Sequence, residues 1–147
     1  MDMTEITNVV NRIAILTDLR DWEVVRQCFT EQVTVDYTSL MGGQPESLAE
    51  PLLWRIAADA LVQNWKSFFT STFKTTQHLL GTQSITVQGD TATCLSQFQA
   101  RHIALDVSKG VWMLGGHYSH DLANTAAGWR VRGIKLTWTW EEGIRPV

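Results

Sequence analysis

Neither a run of lysine or arginine, nor a long apolar stretch, nor a paired-cysteine motif occurs in this sequence. Its 12 basic residues are outnumbered by 15 acidic ones, giving a formal net charge of -3. With the bases dispersed, no line of phosphates can be neutralised, and nucleic acid is excluded as an ordinary partner. No segment approaches the roughly 18 consecutive apolar residues of a membrane span, and Met1 to Thr7 is polar and acidic rather than leader-like. The expectation is a soluble, cytoplasmic chain that does not engage membranes. Cys28 and Cys94 form no CxxC or CxxH spacing, and with no export signal to supply an oxidising compartment they are expected as buried free thiols. Signatures for metal and phosphate are missing too. His117 and His120 sit three apart on a strand, hence on opposite faces. Gly42-Gly43 lacks a phosphate-loop lysine, and there is no GxSxG nucleophile elbow.

What the chain does contain is apolar material. At 147 residues and 44% hydrophobic, it can build one sizeable core but not two, so residues 1–147 are read as a single domain. Seven tryptophans are many for this length, and such rings can line a pocket for a flat organic ligand as well as fill a core.

From Glu5 to Asp18, Ile6, Val9, Val10, Ile13, Ala14 and Leu16 recur at helical spacing behind Thr4 as N-cap. Asp21 caps a second, short helix over Trp22 to Phe29. Val33, Val35 and Tyr37 then alternate with Thr34, Asp36 and Thr38, the period of a half-buried strand with Tyr37 on its inward face. Met41 to Ser47 is loop by composition. Ser47, Glu50 and Pro51 read as the start of a helix from about Leu48 to Phe69, with Leu52, Leu53, Ile56, Ala60, Leu61, Trp65 and Phe68 inward. After Ser71 the pattern is β: Thr75 to Leu80, Ser84 to Gln88, Thr91 to Leu105, Val111 to Leu122 and Gly128 to Trp140. Gln88 to Thr91 makes a tight hairpin, Asp106 to Gly110 a longer one, and a change of apolar register predicts a bulge near Gly133. Helices followed by antiparallel strands define an α+β domain whose sheet wraps round the helices.

Ionisable residues on inward faces are the candidates for chemistry, because burial and mutual contact move their pKa values. On Thr91 to Leu105 the small and apolar face is Ala92, Cys94, Ser96, Phe98, Ala100, His102 and Ala104, which carries His102 inward. His78 shares a strand face with Thr76 and Leu80. Asp18 falls in the last turn of the first helix, where the helix dipole disfavours a negative charge. A structural explanation exists for each: a core histidine, a strand-end histidine on a carbonyl, an aspartate bonding the next turn. If Asp18 reaches His102 instead, it fixes the imidazole tautomer and the two act as one acid/base unit. Tyr37 offers a phenol for a substrate carbonyl. On Val111 to Leu122 the apolar face holds Trp112, Leu114, Gly116, Tyr118, His120 and Leu122, which adds Tyr118 and His120 to the pocket and leaves His117 outside.

The run Thr17-Asp-Leu-Arg-Asp-Trp-Glu-Val-Val-Arg-Gln-Cys-Phe29, with Val35 to Ser39, Thr76 to Gly81, Gln97 to His102 and Gly128-Trp129 through Gly133 to Trp140, resembles the scytalone dehydratase family. That family lies in the SnoaL-like branch of the NTF2-like superfamily, and the similarity spans about residues 5 to 142. The resemblance implies a cone of helices packed in a strongly curved, mostly antiparallel sheet. It places Asp18 and His102 at an acid/base pair, His78 at a second catalytic histidine and Tyr37 at one of two substrate-polarising tyrosines. The implied reaction is loss of water from a cyclic hydroxy ketone, polyketide- or steroid-like, without metal or organic cofactor. Thr17, Trp65, Phe98, Tyr118 and His120 are the expected substrate contacts. Three departures stand out: Thr17 occupies the place of the second tyrosine, the family's substrate-binding serine and asparagine fall near Gly116 and Tyr118, and the family's closing C-terminal segment is missing after Val147.

Other readings are a bile-acid dehydratase relative, an isomerase of the ketosteroid type, which the two histidines fit poorly, and a non-catalytic pocket protein binding a hydrophobic ligand or serving to oligomerise. A homodimer or homotrimer through the exposed sheet is expected.

Overall fold

The computed structural model describes residues 3–41 and 53–146. Helix α1, Thr4–Asp18, buries Ile6, Val9, Val10, Ile13 and Thr17 along one stripe. Thr4 is its first helical residue rather than its cap; Met3 holds the cap position without a side-chain bond. Glu5 Oε1 accepts from the Trp129 amide at 2.9 Å, tying the helix start to the last strand. Just beyond the helix, Arg20 has a left-handed φ of 62°, a conformation costing a non-glycine residue about 1–2 kcal/mol. Offsetting that cost, its guanidinium donates to Thr17 O at 2.8 Å and Thr76 Oγ1 at 3.1 Å and lies 5.2 Å over the Phe69 ring. Helix α2, Trp22–Gln27, opens as expected on Asp21, whose carboxylate accepts from the Val24 amide.

Strand β1, Phe29–Asp36, buries Val33 and Val35 and ends in a 3-10 turn over Thr38–Met41. The helix expected from Leu48 to Phe69 is corrected within the described residues. Leu53–Ala57 is strand β2, paired antiparallel to β1 with Trp54 opposite Val35 and Ile56 opposite Val33. Trp54 and Ile56 are half-buried and Arg55 exposed, the period of a strand; Leu53 and Ile56 also stand three apart as on one helix face, and pairing with β1 settles the assignment. The expected start at Ser47 to Pro51 lies outside the described residues. Helix α3, Ala58–Thr72, begins without a capping side chain. Its inner face is Ala58, Leu61 and Val62 with Trp65 and Phe69 partly buried, whereas Ala60 and Phe68 face out.

The remaining strands among the described residues are β3, Phe73–Gln88; β4, Thr91–Ala104; β5, Val111–Thr125; and β6, Gly128–Gly143. The six form one curved, unclosed sheet in the order β2-β1-β6-β5-β4-β3. Only β1 with β6 is parallel; the other neighbours are antiparallel. Gly89, at φ 61°, supplies the left-handed residue of the β3–β4 turn. Against β5, β6 carries an extra residue between Val131 and Gly133, where a bulge was expected, and another between Trp138 and Trp140. Such bulges bend a strand. At the second, Gly115 leaves the room that the Trp140 indole fills.

The core lies between the helices and the concave face. Ile6, Leu61 and Leu122 are fully buried, worth about 1.5–3 kcal/mol each. Tyr37, Leu80 and Tyr118 touch both this cluster and a second one around Phe73, Phe98 and Trp112. Cys28 and Cys94 are free and buried, and burial raises both thiol pKa values. Among the described residues no helix is long and apolar enough to cross a membrane.

Candidate active site

Helix α1 lies along β3, the edge strand of the sheet, and this contact decides which histidine meets Asp18. Asp18 pairs with His78, not with His102 as expected. Asp18 Oδ1 stands 2.7 Å from His78 Nδ1 and accepts from Thr76 Oγ1 at 2.8 Å, and Oδ2 accepts from the His78 amide at 2.6 Å. Both side chains are nearly buried, at 13% and 11% exposure. Burial works against the carboxylate, but the His78 ring, the His78 amide and the Thr76 hydroxyl together hold its pKa below the ordinary value. An anionic Asp18 fixes the proton on Nδ1 and leaves the Nε2 lone pair of His78 free.

His78 lines a cavity of about 80 Å³, walled on the helix side by Val10, Ile13, Ala14, Thr17, Trp65 and Phe69. Leu80, Tyr37, Tyr118, His120 and Ile134 close it from the sheet. The walls are mostly apolar, so charge developed inside is weakly screened and positioned donors count for more. Burial pushes the Tyr37 phenol well above its ordinary pKa, opposed in part by the nearby Trp65 side chain. Burial likewise raises Tyr118, reinforced by the nearness of Tyr37 and Asp18. The Tyr118 phenol has no hydrogen-bond partner among the described residues.

Two expected members stand off the cavity wall. His102 is inward on β4, as its strand face predicts, but its Nδ1 faces Trp112 O at 3.0 Å and its ring stacks on Trp112 at 4.2 Å. It approaches His78 only ring to ring, at 5.7 Å. Burial drives its pKa down to about 4 despite the Trp112 carbonyl. Phe98 is buried behind the wall, stacked on Tyr118 at 4.2 Å; it orients that phenol from behind. Thr17 and Trp65 do line the cavity, as do Tyr118 and His120. Arg20 and Thr76, which brace the dyad, were not anticipated. The one available signal was Thr76 sharing the strand face of His78.

A small set of helices packed in a curved, unclosed mixed sheet is the NTF2-like fold, and here an Asp–His dyad lies beside its cavity. The chain belongs to the SnoaL-like domain family, whose model matches residues 1–135. No functionally curated protein matches it. Among solved structures it is similar to the Kfla4162 protein of Kribbella flavida, at 25% identity and TM-score 0.84 over 96% of this chain and 93% of that one. A candidate scytalone dehydratase of Novosphingobium aromaticivorans superposes with TM-score 0.79 at 17% identity, over 99% of this chain and 89% of that one. An NTF2-like superfamily protein of Salmonella enterica does so with TM-score 0.73 at 17% identity, over 98% and 92%.

Proposed function

We propose that the protein is a cofactor-independent dehydratase that eliminates water from a compact cyclic hydroxy ketone. The observation carrying this reading is the dyad: a nearly buried carboxylate bonded to the Nδ1 of an imidazole that lines an apolar cavity together with two phenols. In the proposed reaction His78 Nε2 removes the proton next to the ketone, and the enolate oxygen is held by Tyr37 and Tyr118. The imidazolium, stabilised by Asp18, then returns the proton to the departing hydroxyl. The double bond forms, the carbon–oxygen bond breaks, and water leaves with no net change in the enzyme. Tyr118 thus supplies the second phenol that Thr17 lacks. His102, neutral near pH 7 and facing a backbone carbonyl through Nδ1, is not assigned a proton transfer. The likeness to the Novosphingobium protein, in its fold, is consistent with this assignment.

The test is a panel of cyclic hydroxy ketones of one to four rings, followed by absorbance as conjugation develops, with the natural sequence and His78→Ala side by side. Water loss from at least one member, abolished in His78→Ala with the circular dichroism spectrum unchanged, is the expected result. Equal turnover by the two proteins, or none on any member, overturns the assignment. The exposed Leu79 and Leu95 on the outer sheet face further support self-association as a dimer or trimer, which light scattering reads directly.

A further inference from the structure

Strand pairing alone does not hold Tyr37 in place. The last β1 residue with partners on both sides is Asp36, opposite Lys135 on β6 and Leu53 on β2. Beyond it the chain leaves the sheet for the single 3-10 turn over Thr38–Met41, and one isolated turn has little stability of its own. Tyr37 is the junction. Asp36 Oδ1 accepts from the Thr38 amide at 3.1 Å and from Thr38 Oγ1 at 2.7 Å, and the Tyr37 carbonyl accepts from the Leu40 amide at 3.0 Å. These local bonds shape the turn without fixing where it sits. Its position comes from the last strand. The Trp138 amide donates to Ser39 Oγ at 3.0 Å, and the Trp138 indole N–H donates to Ser39 O at 2.6 Å. By this point along β6 its partner β1 has ended, since Asp36 stands opposite Lys135, so Ser39 takes the amide that a further strand residue would have taken. Two bonds to one residue fix both its place and its orientation. Arg145 Nη1 donates to Leu40 O at 2.8 Å, and Arg145 is itself held by Glu141 at 2.7 Å. Tyr37, Leu40 and Trp138 pack against the same apolar cluster, and the Tyr37 ring meets Trp54 of β2 edge-on at 5.9 Å.

We propose that Trp138, which does not itself line the cavity, is a positioning residue for the Tyr37 phenol. Through Ser39 it sets the turn from which that side chain enters the cavity, and it acts on the reaction only through Tyr37. What the phenol does there rests on the reading above. The indole N–H is the part of Trp138 that a phenylalanine ring cannot replace, because only it reaches the Ser39 carbonyl. Misplacing a group that must meet developing charge by about 1 Å can cost about 10²-fold, so a bond this far from the chemistry has a measurable effect on it.

Two variants of the full chain test this. Trp138→Phe keeps a ring and the backbone donor and removes the indole bond; Ser39→Ala removes the Oγ acceptor and leaves every ring in place. The chain has only two tyrosines, and burial raises both phenols, so ultraviolet titration counts them one by one. In the natural sequence neither should ionise below about pH 11. In each variant one phenol should ionise near the ordinary value of about 10, with the circular dichroism spectrum unchanged, and that step should vanish when Tyr37→Phe is added. The second reading is a double-mutant cycle on a hydroxy ketone of the panel that turns over. Trp138→Phe should lower kcat about tenfold with KM held, and by about twofold or less when residue 37 is already phenylalanine. A Tyr37 that ionises near 10 in the natural protein, or stays un-ionised in both folded variants, overturns the proposal, as does a loss of kcat that is the same with and without the Tyr37 phenol. Should Trp138→Phe fail to fold, Ser39→Ala decides by the same two readings. A titration that shifts while no panel member loses water sinks the dehydratase and leaves Trp138 setting the phenol; water loss with an additive cycle does the reverse.

Discussion

Lowering the pH from 8 to 5 should remove about 4 kcal/mol of folding stability through two residues, His102 and His120. Burial is the leading cause at both sites, and both pKa values fall from 6.5 to about 4 in the folded protein. The folded state therefore resists protonation until about pH 4, while each unfolded imidazole takes a proton below about pH 6.5. The unfolded state binds more protons across that window, so stability falls as pH falls. Integrated to pH 5, each histidine contributes about 2 kcal/mol, a large part of the roughly 5–15 kcal/mol of an ordinary domain. Asp18 does not confuse the window: its folded pKa lies below 3.8, so its stabilising contribution is lost only on further acidification. Urea titrations at half-unit pH steps measure the curve. His120→Phe should halve its slope. The same substitution should raise stability at pH 7 by about 1–2 kcal/mol, because it removes an unpaired buried atom. A flat profile between pH 8 and 5, or a slope unchanged in His120→Phe, would refute the reasoning.

Asp18→Asn should cut kcat by roughly 10²–10⁴, the usual scale of positioned proton transfer, since an amide can stabilise the wrong tautomer of His78. The downfield proton signal of the Nδ1 bond should vanish with it; wild-type turnover in a folded Asp18→Asn would remove His78 as the base. Tyr37→Phe and Tyr118→Phe should each lower kcat about 10- to 100-fold with little change in KM, and either one acting on KM alone would make that phenol a binding group. His102→Gln should retain turnover within about tenfold, measured beside His78→Ala; a loss equal to that of His78→Ala would restore His102 to the proton-transfer path.

Much of this architecture is written in alternation. The strict two-residue period of Ala92 to Ala104 places His102 inward, Asp21 marks the start of α2, and the change of register near Gly133 marks a bulge. The partner of Asp18 is not written there, because periodicity says which face a side chain is on and not which strand the end of a helix touches. That choice follows from β3 being the outermost strand on the side where α1 lies. The strand character of Leu53–Ala57 was hidden for a related reason: its apolar spacing fits both periods, and only pairing with β1 distinguishes them. Residues off the pattern, such as Arg20 in its left-handed turn, gain their role from contacts that no local signal carries.

The parallel pairing of β1 with β6 joins the first strand of the chain to its last. Tyr37, immediately after β1, packs against clusters that include Ile134 and Leu136, so its surroundings are complete only once β6 has been made. Contacts this remote in sequence form slowly. The helices, the β3–β4 hairpin and the Asp18–His78 pair can assemble from what has already emerged, with the phenol wall closing last. A nascent chain halted before Gly128 would carry the base in position and still lack an enclosed chamber in which to use it.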